Sequence, residues 1–345
     1  MSYGSLYYPE LFSPITIGNM TFKNRIVMPP MATNFGIVTR QSIAYYRKRA
    51  LGGVGCIIVE GTPTHLFYDH RFQDGLKRLA EAIKLDDVKA VIQLTIKSNP
   101  QPRKDVTDIP IDEVKGFIDA LVYAARISFD TGFDGVEPHG AHGFIMNRFF
   151  SPISNQRKDE YGGDLYNRMR FGLDVVRNIK SAVGEGFLIF YRHTPVEWQD
   201  NGYTLEDSIA FGKELKKVGL DVFDISPSTP SGSYQYGVFA KEIREKVDIP
   251  VVAVGKMHVP EIASKMIREN YADLVAIGRA LLADPFLPKK LEEGRLSSIN
   301  VCKQCNIKCH GYLRRGLPIS CVNNHSVGRE YFEIGFWTKG DNDVY

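Results

Sequence analysis

The chain has 345 residues, 43% of them hydrophobic and 24% charged, which is the composition of a globular protein and excludes a disordered or fibrous one. A formal net charge of +3 is too small to argue for a nucleic-acid or membrane partner. No apolar run approaches the roughly 20 residues of a membrane span, and Met1-Ser-Tyr-Gly-Ser5 lacks the basic and apolar regions of a signal peptide, so a cytoplasmic location is expected.

Along the chain, short apolar runs alternate with amphipathic segments. Strand candidates are Arg25–Pro30, Val54–Val59 closed by Glu60-Gly61-Thr62, Ala90–Ile96, a run opening at Gly135, Phe187–Arg192, Val222–Ile225, Val251–Val254 and Leu274–Ile277. Helical spacing covers Gln41–Ala50, Leu76–Leu85, Ile111–Asp130, Tyr166–Val183, Thr204–Val218 with Thr204-Leu-Glu-Asp207 as its start, Phe239–Val247 and Glu261–Glu269. Eight strands, each followed by a helical segment, predict parallel βα units of an α/β fold. Strands that are apolar without strict alternation suit a sheet buried on both faces.

The polar residues at the strand ends favour a closed barrel over an open sheet. Pro30, Gly61, Gln93, His139, Arg192, Ser226, Gly255 and Gly278-Arg279 each fall at or just past the C-terminal end of a different strand, and in a barrel those ends form one ring. The centre of the pattern is Asp134-Gly-Val-Glu-Pro-His-Gly-Ala-His-Gly143, where two imidazoles, His139 and His142, can converge on one ligand. Pro138 and the glycines around it predict that the strand gives way to a loop before the histidines. Gly278-Arg279 and Gly255-Lys256, on adjacent strands, together offer backbone N–H groups and cations for a phosphate. Arg192, ending an otherwise apolar strand, reads either as a structural ion pair or as a cation facing the barrel mouth.

Of five cysteines, Cys56 lies in an apolar strand and reads as a core residue. The other four, Cys302, Cys305, Cys309 and Cys321, are spaced C-x2-C-x3-C-x11-C near the carboxyl end. Clustered thiols of this kind suit a metal site, either tetrahedral zinc or an iron–sulfur cube, better than a disulfide framework. The spacing is not the paired C-x2-C units usual in zinc ribbons.

The longest motif is His139-Gly-Ala-His142-Gly-Phe-Ile-Met-Asn147-Arg-Phe-Phe-Ser-Pro152, continued by Asn155-Gln-Arg157-Lys-Asp159-Glu-Tyr-Gly-Gly163 and Asn167-Arg168-Met-Arg170-Phe. With Leu11-Phe-Ser-Pro-Ile-Thr-Ile-Gly18, Arg25-Ile-Val-Met-Pro-Pro-Met31, Val59-Glu-Gly-Thr62 and Gly278-Arg-Ala-Leu-Leu-Ala-Asp-Pro285, it resembles the Old Yellow Enzyme family of FMN-dependent oxidoreductases over nearly the whole chain. The resemblance implies a TIM (β/α)8 barrel holding FMN, lined by Pro30, Met31, Ala32, Gly61, Gln93, Arg192, Gly255, Lys256, Gly278 and Arg279. His139 and His142 would grip an oxygen of a small-molecule substrate. The cysteine segment resembles the [4Fe-4S] segment that follows the barrel in 2,4-dienoyl-CoA reductase and trimethylamine dehydrogenase, which implies a cluster on Cys302, Cys305, Cys309 and Cys321. The FMN barrel is then expected over residues 1–296, and the cluster segment with its tail over 297–345.

Four departures shape the functional expectation. Phe144 stands where many family reductases carry a proton-donating Tyr, and Ala32 where relatives place Thr, Cys or His. The segments 96–110 and 226–236 are shorter than their usual counterparts over the substrate, leaving a wide mouth or one completed by another chain, as in a homo-oligomer. The chain ends at Tyr345 with no G-x-G-x-x-G after a strand, so electrons are expected from a separate electron-transfer protein. The expected reaction is reduction of an activated C=C bond. One alternative is oxidation of an amine or methylated amine, with Trp198 and Glu197 as candidates for a cation-binding bowl. An alternative of another class is a non-catalytic electron-transfer subunit, against which the intact histidine pair argues.

Overall fold

Successive residues of the barrel strands belong to two different apolar cores. Ile57 and Val59 pack outward with Ile92, Val136, Ile189 and Tyr191, whereas Cys56, Ile58, Val91, Leu188, Phe190 and Val222 form a separate inner cluster. An alternation with one face closed on itself defines a barrel. The computed structural model describes residues 2–96, 105–228 and 237–333. An antiparallel hairpin, β1 (Ile15–Ile17) and β2 (Met20–Phe22), precedes the strands β3 (Ile26–Met28), β4 (Cys56–Pro63), β5 (Lys89–Thr95), β6 (Gly135–Gly140), β7 (Leu188–His193), β8 (Val222–Ile225), β9 (Val251–Val254) and β10 (Leu274–Ala276). All eight pair in parallel in sequence order, and β10 closes onto β3 through Val275↔Ile26 and Ala276↔Val27. This is the predicted (β/α)8 barrel.

The hairpin is the floor. Its Ile17 and Phe22 join Val27, Cys56, Leu188 and Phe190 inside the barrel, so apolar side chains fill the end where the strands begin. Among the described residues, no helix is long and apolar enough to cross a membrane.

Helices Ile111–Asp130 and Leu205–Lys217 sit where the pattern predicts, and Thr204 and Asp207 form a reciprocal capping box at the second. Two expectations fail. The strand β6 does not stop at Pro138: it continues through His139 and Gly140, because those residues pair with Arg192 and His193 of β7 while Pro138 lies opposite Leu94 of β5. Likewise β4 runs to Pro63 rather than closing at Glu60-Gly61, its register shifting between Val59 and Thr62. Parts of the two shortened segments, 97–104 and 229–236, lie outside the described residues.

After the barrel, the chain returns along the outside. Ile319 and Val327 are buried in the outer core, and Ile319 donates its backbone N–H to Thr33 O at 2.9 Å. Arg49, on helix Arg40–Leu51, pairs with Glu330 at 2.7 Å, both side chains fully buried. The guanidinium also lies 3.6 Å from the centre of the Tyr45 ring.

Candidate active site

The side chains that point into the barrel change character partway up. Counting by alternation from the inner cluster, Glu60, Gln93, Glu137, His139, Arg192, Asp224 and Ser226 are the inward residues nearest the C-terminal end. All are buried. Gln93 donates to Glu137 Oε1 at 2.8 Å, and Gly61 lies against Gln93, since a Cβ there would stand 3.1 Å from Gln93 Oε1. Glu60 accepts from the Thr33 N–H at 2.8 Å and from the Thr33 hydroxyl, which fixes the loop carrying Pro30, Met31 and Ala32.

Arg192 occupies the middle of this layer. Its Nε lies 3.7 Å from Asp224 Oδ2, and its Nη2 donates to Ser226 Oγ at 2.9 Å. Ser226 Oγ is also 2.9 Å from His142 Nε2. The Ser226 hydroxyl thus links the Arg192 guanidinium, which only donates, to the His142 ring. The backbone at His142 is left-handed, with φ of 58°, and its N–H is held by Thr194 Oγ1 at 3.0 Å.

The imidazoles stand with ring centres 5.3 Å apart, and the half-exposed Phe144 ring covers His139 at 4.4 Å. Burial, then His142 and Arg192, hold His139 well below its ordinary pKa. Burial and Arg192 lower His142 to about 4. Both rings are therefore neutral donors or acceptors near neutral pH, and His139 Nδ1 has no partner among the described residues.

Seven of the ten predicted lining residues, Pro30, Met31, Arg192, Gly255, Lys256, Gly278 and Arg279, surround one cavity of about 220 Å³. Ala32, Gly61 and Gln93 are not on its wall, and the histidine pair reaches it through Ser226 and Arg192. Gly255 adopts φ of 120° and Lys256 φ of 51°, so the loop after β9 turns sharply as it passes the cavity. Arg279 follows Gly278 at the start of the short helix Arg279–Ala283. His258 and His310, which the sequence reading did not single out, line the same wall.

Arg279 also faces a second, smaller cavity of about 20 Å³, whose wall includes Cys302, Cys305, Cys309 and Cys321. Cys302 and Gln304 touch both cavities. Asn323 N–H points at Cys321 Sγ from 3.4 Å, and Arg279 Nη1 holds Asn306 Oδ1 at 2.6 Å. Among the described residues, no three His, Cys, Asp or Glu side chains converge on a single metal ion. Trp198 packs edge-on against Phe239 at 5.9 Å, and Glu197 accepts from Ser151 Oγ at 2.8 Å; neither lines the main cavity.

A parallel barrel with a cation-lined cavity at the C-terminal ends of its last strands is the architecture of flavin-dependent oxidoreductases of the Old Yellow Enzyme type. The chain belongs to the NADH:flavin oxidoreductase / NADH oxidase family, which matches residues 10–105 and 97–298. It is 37% identical to the NADH oxidase of Thermoanaerobacter brockii over 95% of this chain and 58% of that protein. Among solved structures, 2-naphthoyl-CoA reductase superposes with a TM-score of 0.87 at 27% identity, covering 94% of this chain and 58% of that one. Histamine dehydrogenase from Rhizobium sp. 4-9 superposes with a TM-score of 0.84 at 31% identity, covering 94% and 53%. The chain thus spans somewhat more than half the length of these relatives.

Proposed function

We propose that the chain is an FMN- and [4Fe-4S]-dependent oxidoreductase that reduces an activated C=C bond, of an enone or enoyl thioester, with electrons from a separate redox protein. The observation that carries this reading is the neutral imidazole pair at the barrel mouth, with the buried Nδ1 of His139 unpartnered. Neutral N–H donors suit a carbonyl oxygen, whose polarisation activates the adjacent double bond. A cationic amine calls for a carboxylate at the mouth, and Glu197 is instead engaged by Ser151.

The main cavity lies at the C-terminal ends of the last strands, the end of a parallel barrel where ligands bind. Arg192, Lys256 and Arg279 on its wall suit an anionic, phosphate-bearing ligand, with Gly255 and Gly278 allowing backbone approach. Four thiols on one cavity wall, in a C-x2-C-x3-C-x11-C spacing unlike the paired C-x2-C units of zinc ribbons, suit a cluster better than zinc. When bound, FMN supplies hydride chemistry and the cluster single-electron exchange. The protein's own contribution is to hold the substrate oxygen at His139 and His142, fix Arg192, and exclude water with Phe144.

The second reading, oxidation of an amine, is favoured by Phe144, which has no proton to give, and by the likeness to histamine dehydrogenase. Anaerobic purification followed by assays with enones, enoyl-CoAs and methylamines, using an artificial one-electron donor or acceptor, separates the two. Turnover of enones or enoyl-CoAs is expected. Turnover of amines alone overturns the favoured direction, and zinc in place of iron overturns the cluster.

A further inference from the structure

Two carboxyl groups lie deeper than anything the chemistry at the mouth touches. Glu137 on β6 and Asp224 on β8 are both fully buried and point inward by strand alternation; Asp224 lies opposite Arg192 of β7, and Glu137 one inward position below His139, the residue of β6 opposite Arg192. Glu137 Oε1 accepts from Gln93, but Glu137 Oε2 and both oxygens of Asp224 have no donor among the described residues. Arg192 offers Asp224 a contact at 3.7 Å, and its Nε has no hydrogen-bond partner there. Below the pair lies the Cys56 thiol, and above it His139; neither gives a second positive charge.

Two buried anions beside one cation leave uncompensated charge in a low-dielectric layer, which is strongly unfavourable. A single proton removes the problem. Placed on Glu137 Oε2, the one oxygen of that carboxyl without a donor, it turns an orphaned acceptor into a donor toward Asp224. We infer that Glu137 and Asp224 share one proton, carried by Glu137, with Asp224 remaining the ionised partner that orients Arg192 at the cavity. Burial raises both carboxyls, and Asp224 adds to the rise at Glu137 while Arg192 opposes it. The three side chains together form a neutral positioning unit under the cavity, so that Arg192 presents its guanidinium without a net charge behind it.

The role toward the cofactor rests on the FMN reading, whereas the shared proton does not. Infrared spectra of the flavin-stripped full chain at neutral pH test the proton directly. The expected result is a carboxylic-acid carbonyl band that shifts in heavy water and disappears in Glu137→Gln, with an unchanged melting temperature, because the amide reproduces the protonated acid. Asp224→Asn, which removes the counter-ion of Arg192, is expected to lower the melting temperature. With FMN bound, Glu137→Gln leaves the flavin midpoint potential where it was. No acid band lost in Glu137→Gln, or an upward shift of the midpoint in that variant, shows that both groups are ionised and overturns the proposal. Asp224→Asn behaving as the silent substitution would assign the proton to the wrong residue and overturn it equally. Failure of the chain to take up FMN sinks the cavity assignment while leaving the infrared result standing.

Discussion

At the scale of single residues, the histidines divide by environment. His139 and His142 face the mouth. His193, the outward neighbour of Arg192, is fully buried with Nε2 at 2.8 Å from Ser208 Oγ. Replacing His139 and His142 by Ala should leave bound flavin and iron unchanged yet weaken phenolate or carbonyl ligands roughly ten- to a hundredfold per lost charge-assisted bond, read by ligand titration of the flavin absorbance. Restoring a phenol with Phe144→Tyr should raise C=C reduction if protonation limits it, measured as kcat. For His193, burial pushes the pKa from the ordinary 6.5 to about 3. The unfolded chain therefore binds a proton below pH 6.5 that the folded chain refuses, and stability is lost as pH falls. Denaturant melts should show the wild type losing about 1.4 kcal/mol per pH unit relative to His193→Gln between those values.

At the scale of elements, the returning C-terminal segment is fastened to the barrel through one buried charge pair. Removing Glu330 leaves Arg49 charged and fully buried, with the Tyr45 ring and carbonyl as its remaining partners among the described residues. Glu330→Ala should destabilise the fold by about 3–5 kcal/mol, measured by urea denaturation. The same scale shows where sequence reading stops. Helices such as Leu205–Lys217 were legible because capping and period act locally. The end of β6 was not, because Pro138 breaks strands only where its missing N–H is needed, and the pairing with β7 supplies the continuity. Glu137 and Asp224 were missed for a related reason: an acid in an apolar strand looks like an end residue until register brings two distant strands to either side of Arg192. The usable signal was parity, since each precedes by two positions a residue already singled out, His139 or Ser226.

At the scale of the whole molecule, the ring of polar strand ends was legible because only a closed barrel gathers eight such positions. The cavity's outer wall was less so: His258 comes from the loop after β9 and His310 opens the one-turn helix His310–Leu313, and neither is long enough to show a period. If electrons enter from another protein, NADH alone should reduce the bound flavin slowly and a low-potential one-electron donor rapidly, followed by anaerobic stopped-flow absorbance. Rapid stoichiometric reduction by NADH or NADPH alone would contradict this. The β1–β2 floor bears on the direction of approach. Among the described residues, Ile17 and Phe22 fill the lower end of the barrel and close it with apolar side chains. The buried polar side chains above that floor, from Glu137 to Ser226, therefore face the C-terminal ends of the strands, and a ligand that meets them comes from that side.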